Sequence, residues 1–398
     1  MLSIQENILL ADYTTFKIGG PARYFAVIKN EEDLKQAVIF ARAYSKNSFR
    51  FYFSRFCPKA YKKFLEIFSY FSKFFNSLRT KSEKISSKAV SQIGSEKSLP
   101  IYVLGGGSNL LISDEGVDGL VLKMEIKGVT WMSESQVIVG AGEVWDDLVE
   151  KTVEKGLYGL ENLSGIPGTV GASVIQNIEA YGAEVSRSVE TVEVFNKETL
   201  EIENLTNEQC NFNYRQSIFK TEKGKKYIVL KVIFNLAKQG KLNLEYKDVK
   251  NYLKENNLRE DQVDIKKARE ILLFVRRNKL PDLEQIGTAG SFFKLPVVDS
   301  ETLSYIKEIS PDMPHYRIDI GCKTSIQGEH KIPLGHLLEQ FGWKGYKDGN
   351  VGIFEKHSLI VVNHGYGKSK DIKNLVAKIT KDVKEKTGID IEPEVVMW

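Results

Sequence analysis

The chain is poor in cysteine. Its three, Cys57, Cys210 and Cys322, stand far apart and form neither a CxxC pair nor an even disulfide framework. Free thiols and a reducing, cytoplasmic compartment are therefore expected. The five histidines, His315, His330, His336, His357 and His364, show no metal-ligand spacing with the cysteines, so no zinc or other metal site is expected. No run of about 18 apolar residues occurs, which excludes a membrane-spanning helix. The opening Met-Leu-Ser-Ile-Gln-Glu-Asn has no basic region followed by an apolar core, so no secretory signal is expected. A large net charge is missing too. The formal value is +4, but residues 48–98 alone hold eleven Lys/Arg and three Asp/Glu. The remainder has 45 basic and 49 acidic residues. Its basic character belongs to one segment, and a nucleic-acid-binding role for the whole protein loses its main support.

What is present suits a globular protein of two or three domains: 398 residues, 42% hydrophobic and 27% charged. Thr14–Ala22 leads into a strand at Arg23–Ile28. Asn30 can cap a helix whose first turn carries Glu31, Glu32 and Asp33, and whose apolar stripe is Leu34, Val38 and Ala41. A buried strand, Ile101–Leu104, runs into Gly105-Gly106-Gly107-Ser108-Asn109, and a second short strand follows at Leu110-Leu111-Ile112. Such a loop lets backbone N–H groups approach a phosphate closely, although a plain hairpin turn explains it equally well. The spacing is not GxGxxG before a helix, which argues against a Rossmann unit. A helix is predicted from about Glu143 to Lys155, ended by Gly156.

A second glycine-rich run follows, Gly165-Ile166-Pro167-Gly168-Thr169-Val170-Gly171-Ala172, with polar groups from Gln176, Asn177 and Tyr181 close behind. Two such loops about 60 residues apart fit one large phosphate-bearing cofactor better than either loop does alone. Arg215 sits in the aromatic run Phe212–Lys220 and needs an anionic partner, in a catalytic role or as a structural salt bridge.

Gly290-Ser291-Phe292-Phe293-Lys294, approached through Asn278-Lys279-Leu280-Pro281-Asp282, reads as a serine in an aromatic, water-poor pocket with two lysines near enough to offset an alkoxide. Gly-Ser is also ordinary turn chemistry, and Phe-Phe is ordinary core. A strand is predicted at Ser358–Val362, and a last helix capped by Ser369 and ended by Gly388. Glu394, among apolar neighbours near the C-terminus, is either a buried acid or a solvated edge glutamate. A buried Glu394 would need a cation and Arg215 needs an anion, so on that reading the two are expected to meet.

Residues 48–98 hold nine of the 21 phenylalanines. Phe64, Ile67, Phe68, Phe71, Phe74, Phe75 and Leu78 fall on one helical face, with Lys59, Lys62, Lys63, Glu66, Ser69 and Lys73 on the other. A peripheral helix and a Ser/Lys-rich linker are expected. Its apolar face would pack on the protein itself, on a partner, or on an anionic membrane surface.

In order, the runs TTFKIGGPA, YVLGGGSNLLI, GAGE, GLENLSGIPGTVGAS, IQNIEAYG, NYRQSIFK, KLPD, GSFFK, GWKGY, VNHG and IEPEV resemble the UDP-N-acetylenolpyruvoylglucosamine reductases, in the subtype where a tyrosine loop folds over the substrate. They span nearly everything outside 48–98. Leu295 departs from an asparagine common in the family, and Glu179 from a glycine.

The resemblance implies an α+β fold: a two-lobed FAD-binding domain of the vanillyl-alcohol-oxidase type and a C-terminal α+β substrate domain. The implied divisions are 1–126 and 127–280 for the lobes (48–98 being an insertion), 281–387 for the substrate domain, and 388–398 for a strand returning to the lobes with Glu394. It implies an enzyme that uses FAD and NADPH on the enolpyruvyl ether of a UDP-sugar, acting as a monomer. The implied catalytic residues are Arg215, Ser291 and Glu394. The implied substrate contacts are Tyr214, Tyr246, Lys279, Lys294 and Gln340. The implied cofactor contacts are Gly105, Gly106, Gly107, Ser108, Asn109, Pro167, Gly168, Thr169, Gly171, Ala172, Gln176 and Asn177. Two alternatives stay open: another flavin enzyme of the same fold, and a catalytically degenerate flavin-binding relative.

Overall fold

The structure, a computed structural model, describes residues 2–44, 98–314 and 330–398, together with the backbone of Tyr316 and Arg317. The helix and linker expected within 48–98 lie outside the described residues, apart from Ser98. Among the described residues no helix is long and apolar enough to cross a membrane.

The first lobe is built on β1 (Ile4–Leu9), β2 (Pro21–Ile28), β3 (Ile101–Leu104) and β5 (Val117–Met124), in the order β1-β2-β5-β3, with β4 (Leu110–Leu111) outside the sheet. β2 and β3 both pair with β5 in parallel. Parallel neighbours need crossover connections, and α1 (Glu31–Ala43) follows β2. Asn30 Oδ1 accepts from Asp33 N at 2.9 Å, and Leu34, Ala37, Val38 and Ala41 are buried. The predicted cap and stripe are both realised.

The second lobe is an antiparallel sheet of β6 (Val129–Trp131), β7 (Gln136–Gly140), β10 (Val189–Asn196), β11 (Glu201–Thr206) and β12 (Tyr227–Asn235), ordered β11-β10-β12-β7-β6. The hairpin of β8 (Glu179–Ala180) and β9 (Ala183–Glu184) stands apart from it. α2 (Trp145–Glu154) and α3 (Val170–Gln176) contribute to its core. β12 serves two cores. Ile228 and Leu230 join that of the first lobe, while Val229, Val232 and Phe234 join that of the second. The pairing of β12 with β10 shifts register between Glu193 and Val194, leaving Leu230 between the paired residues Val229 and Lys231. One extra residue reverses the side-chain alternation, so Val229 and Val232 face the same core despite odd spacing.

α4 (Lys247–Glu255) and α5 (Ile265–Lys279) lead to the C-terminal part. There β13 (Gly287–Ser291), β17 (Lys347–Asp348), β18 (Val351–Ile353) and β19 (Ile360–Asn363) form a sheet ordered β13-β19-β18-β17. A small sheet joins β14 (Val297–Val298), β15 (Tyr316–Arg317) and β16 (His330–Lys331). The strand predicted from Ser358 begins at Ile360 instead, because Ser358 and Leu359 lie in a backbone turn closed by Ile360 N donating to His357 O at 3.1 Å. The helices are α6 (Ser300–Ile309), α7 (Leu334–Gln340) and α8 (Ser369–Thr387).

Ser369 is not the cap of α8. It is the first helical residue and is buried, and Asp114 of the first lobe receives the N–H groups of Ser369 (2.8 Å) and Lys370 (3.1 Å). A carboxylate is a better partner than a hydroxyl for the positive end of a helix, and it also ties two parts of the chain together. Gly388 ends α8 at φ +72°. Finally β20 (Val396–Met397) runs parallel to β4, next to the first glycine loop.

Candidate active site

A cleft of about 400 Å³ lies where the two lobes meet the C-terminal part. One wall is made by the two glycine runs, which the fold brings into contact. A Cβ on Gly106 would lie 2.8 Å from the Cα of Gly168, and one on Gly105 would lie 2.8 Å from Thr169 Oγ1. Ser108 Oγ donates to Pro167 O at 2.9 Å. Bare backbone is thus needed for the loops to meet. Ser108, Asn109, Pro167, Gly168, Thr169, Ala172 and Gln176 line the cleft, whereas Gly105, Gly106 and Gly107 lie behind them. Gly171 packs on Ala141, and Asn177 is turned inward: its Nδ2 donates to Asn213 O at 2.9 Å and its Oδ1 accepts from Ser186 N. Expected as cofactor contacts, these two support the wall from within, since Asn177 is 1% exposed.

The second loop is clamped. Asp146 Oδ1 accepts Gly165 N–H at 2.6 Å, and Arg276 Nε donates to Gly165 O at 3.1 Å. Asp146 is held in turn by both terminal nitrogens of Arg269, at 2.6 and 2.9 Å. Burial pushes the Asp146 carboxyl up, but the Arg269 pair and the Gly165 N–H outweigh it and hold it below the usual carboxylate range.

Arg215 enters from the second lobe on a tight turn, in which Asn213 and Gln216 exchange N–H···O bonds of 3.0 and 2.9 Å. Its φ of +51° is left-handed, a conformation L-residues rarely adopt outside such a turn. Its guanidinium donates to Glu179 O at 3.2 Å, and its Nε lies 2.9 Å from Glu394 Oε1. The Nε–H is not aimed at that oxygen, so this is a contact of charges and not an aligned hydrogen bond. Both side chains are largely buried, at 20% and 16% exposure. The expected meeting of this pair is realised. Glu179 also lines the cleft at the base of its hairpin.

Ser291 ends β13. Gly290 precedes it at φ +77°, and the β13–β19 register shifts between Thr288 and Ser291. This irregularity aims Ser291 at the cleft and the next two residues inward. Phe292 and Phe293, 0% and 1% exposed, pack edge to face at 5.4 Å in the C-terminal core. Burial of each stabilises the fold by about 1.5–3 kcal/mol. The expected aromatic pocket around Ser291 is therefore corrected. The rings face away from it, and the serine is exposed on the open cleft. Glu394 N donates to Phe292 O at 2.7 Å, which sets the serine and glutamate segments side by side. Asn109 Nδ2 donates to Glu394 O at 3.3 Å and links that segment to the first glycine loop.

At the outer end, Tyr246 is 49% exposed and meets Tyr181 edge to face at 5.0 Å. Lys279 Nζ lies 2.6 Å from Asp248 Oδ2. His357 stands nearby. Burial, then Lys279 and Lys344, push it down to about 4, so it is neutral near pH 7. The sequence reading missed Asp248, Arg276 and His357. Arg276 stands three residues before Lys279 on α5, a helical spacing that marks it as a neighbour. Nothing in the sequence around Asp248 or His357 signals a site.

Three expected substrate residues stand off the lining. Gln340 donates to Ile309 O at 2.9 Å, Lys294 pairs with Glu392 at 2.8 Å, and Tyr214 lies under the Lys331 ammonium, 3.5 Å from its ring centroid. Burial pushes the Tyr214 phenol up to about 12. Leu295, the other departure, packs partly buried against the C-terminal core.

A family model described as the UDP-N-acetylenolpyruvoylglucosamine reductase C-terminal domain matches residues 281–398, and an FAD binding domain model matches 82–202. A UDP-N-acetylenolpyruvoylglucosamine reductase of Bdellovibrio bacteriovorus is 39% identical over 306 residues, 76% of this chain and 88% of its own. Those of Pseudomonas aeruginosa and Pseudomonas syringae pv. tomato are 32% and 37% identical, each across 99% of this chain and 98% of their own. The crystal structure of the Thermus caldophilus enzyme of that name superposes over the full length of both chains with a TM-score of 0.60 at 24% identity, a likeness of fold.

Proposed function

The chain belongs to the UDP-N-acetylenolpyruvoylglucosamine reductase family, and from that membership we propose how its cleft carries the reaction. The protein is an FAD-dependent oxidoreductase that reduces UDP-N-acetylglucosamine enolpyruvate to UDP-N-acetylmuramate with NADPH, in peptidoglycan precursor synthesis. The cleft fits FAD in its chemistry. A bare-backbone wall at Gly168 and Thr169 suits a phosphate, and Ile166, Pro167, Ile178 and Ala180 suit a flat ring. When bound, FAD supplies the hydride relay from NADPH to C3 of the enolpyruvyl group.

The protein's own residues take the remaining roles. Arg215 and Lys279 stabilise the charge that builds on the substrate carboxylate. Ser291 gives a proton to C2. Glu394 holds Arg215 in place, and Tyr246 covers the substrate. We assign residues 1–126 and 127–280 as cofactor lobes, 281–387 as the substrate domain and 388–398 as the returning strand. We infer a cytoplasmic enzyme acting as a monomer, the buried Cys210 thiol being in keeping with a reducing compartment.

One observation carries the reading: Arg215, Ser291 and Glu394, far apart in sequence, line the same cleft as the glycine wall. The test is NADPH consumption by purified, yellow protein. Oxidation that depends on the enolpyruvyl substrate is expected. Bound flavin with no such oxidation would overturn the reading in favour of a different flavin enzyme.

A further inference from the structure

Behind the cleft sits a cation that the reaction as described does not use. Lys220 Nζ donates to Gln176 Oε1 at 3.0 Å and to the carbonyl of Arg215 at 2.8 Å. An ammonium has donors and no acceptor. Gln176 must therefore turn its carboxamide oxygen to Lys220, which leaves its NH2 for the cleft it lines. The second bond falls on the peptide that follows the left-handed φ of Arg215, the strained point of its turn. Burial weakens the ammonium, Glu394 favours it, and Lys294 and Arg215 oppose it. It is thus coupled by charge to both members of the Arg215–Glu394 pair.

We propose that Lys220 is a positioning residue that sets two groups at once: it fixes Gln176 as a hydrogen-bond donor toward the flavin, and it pins the Arg215 turn so that the guanidinium meets Glu394. The proposal rests on the reading that the cleft takes FAD. A donor aimed at the flavin, backed by a cation, favours the electron-rich reduced form over the oxidised one. Lys220 then acts on the reduction potential through Gln176 and on the substrate half-reaction through Arg215, touching neither flavin nor substrate.

The test compares the holoenzyme with Lys220→Met, Lys220→Arg and Gln176→Leu. The readouts are the midpoint potential of the bound flavin, its dissociation constant by fluorescence, and kcat and KM. Lys220→Met is expected to move the potential to more negative values, weaken FAD about tenfold and lower kcat about tenfold with KM for NADPH little changed. Lys220→Arg, which keeps the charge and the donors, should restore part of both effects. Gln176→Leu should reproduce the potential shift while Lys220 still holds the Arg215 turn. A folded Lys220→Met with wild-type potential and kcat overturns the proposal. If that variant does not fold, an unchanged potential in Gln176→Leu overturns it instead. Wild-type protein that binds no flavin would count against the cofactor reading itself, a separate failure.

Discussion

Arg215 Nε lies 2.9 Å from Glu394 Oε1, joining a turn of the second lobe to the last segment of the chain. Each side chain is largely buried, and each is the other's offset charge. Glu394→Gln removes that charge with little change of shape. We expect flavin binding to survive and kcat to fall about 10²–10³-fold, the scale of losing one preorganised electrostatic group. Steady-state kinetics beside the flavin spectrum decides it, and an unchanged kcat would make the pair merely structural.

Ser291→Ala separates the two half-reactions. Reduction of flavin by NADPH should proceed as in wild type, while reoxidation by the enolpyruvyl substrate should slow about 10²–10⁴-fold. Stopped-flow absorbance follows each step. Fast reoxidation in the variant would remove Ser291 from the proton-donor role.

Lys279 pairs with Asp248 at 2.6 Å at the outer end of the cleft. Lys279→Met should raise KM for the UDP-sugar substrate about 10–100-fold, the value of one charge-assisted contact, and leave the NADPH half-reaction alone. An unaltered KM would mean that the lysine serves only Asp248.

Asp146 gives a pH dependence. Its carboxyl is held below its ordinary value in the folded protein. A depressed acid stabilises the fold fully above its unfolded pKa of about 3.9, and that contribution is lost as pH falls through the folded value. Asp146→Asn should therefore cost about 2–3 kcal/mol at pH 7, less than a fully buried pair because the aspartate is 31% exposed, and progressively less below about pH 4. Urea titrations of both proteins at pH 7 and in acid would show it. A gap that stays constant with pH would exclude Asp146 as its source.

Some of this site was legible in the sequence and some was not, for reasons of physics. The glycine runs and the Arg215–Glu394 contact were legible in part: bare backbone and buried charge each carry an unmet need, but it took the family resemblance to single these residues out from turns and solvated acids. Gln340 and Lys294 were not, because a helix or strand position fixes a residue's height and not the direction of a long flexible side chain. Gln340 reaches Ile309 O, and Lys294 reaches Glu392. Ser291 failed differently. Its aromatic neighbours suggested a pocket, but a register shift at Gly290 sent serine and rings to opposite sides. The cap of α8 came from Asp114, which no local pattern around Ser369 could reveal.

The two-faced strand β12 has a mechanical meaning. Its Ile228 and Leu230 belong to one core, its Val232 and Phe234 to the other, so neither core can melt without stripping a wall from its neighbour. The lobes are therefore expected to behave as one thermodynamic body with a common keel, which calorimetry would show as a single transition for both. The glycine wall is carried by that body. The side that bears Ser291 is keyed to the same body, for Phe16, Ile18 and Leu111 of the first lobe pack in the C-terminal core and Thr15 exchanges hydrogen bonds with Thr288.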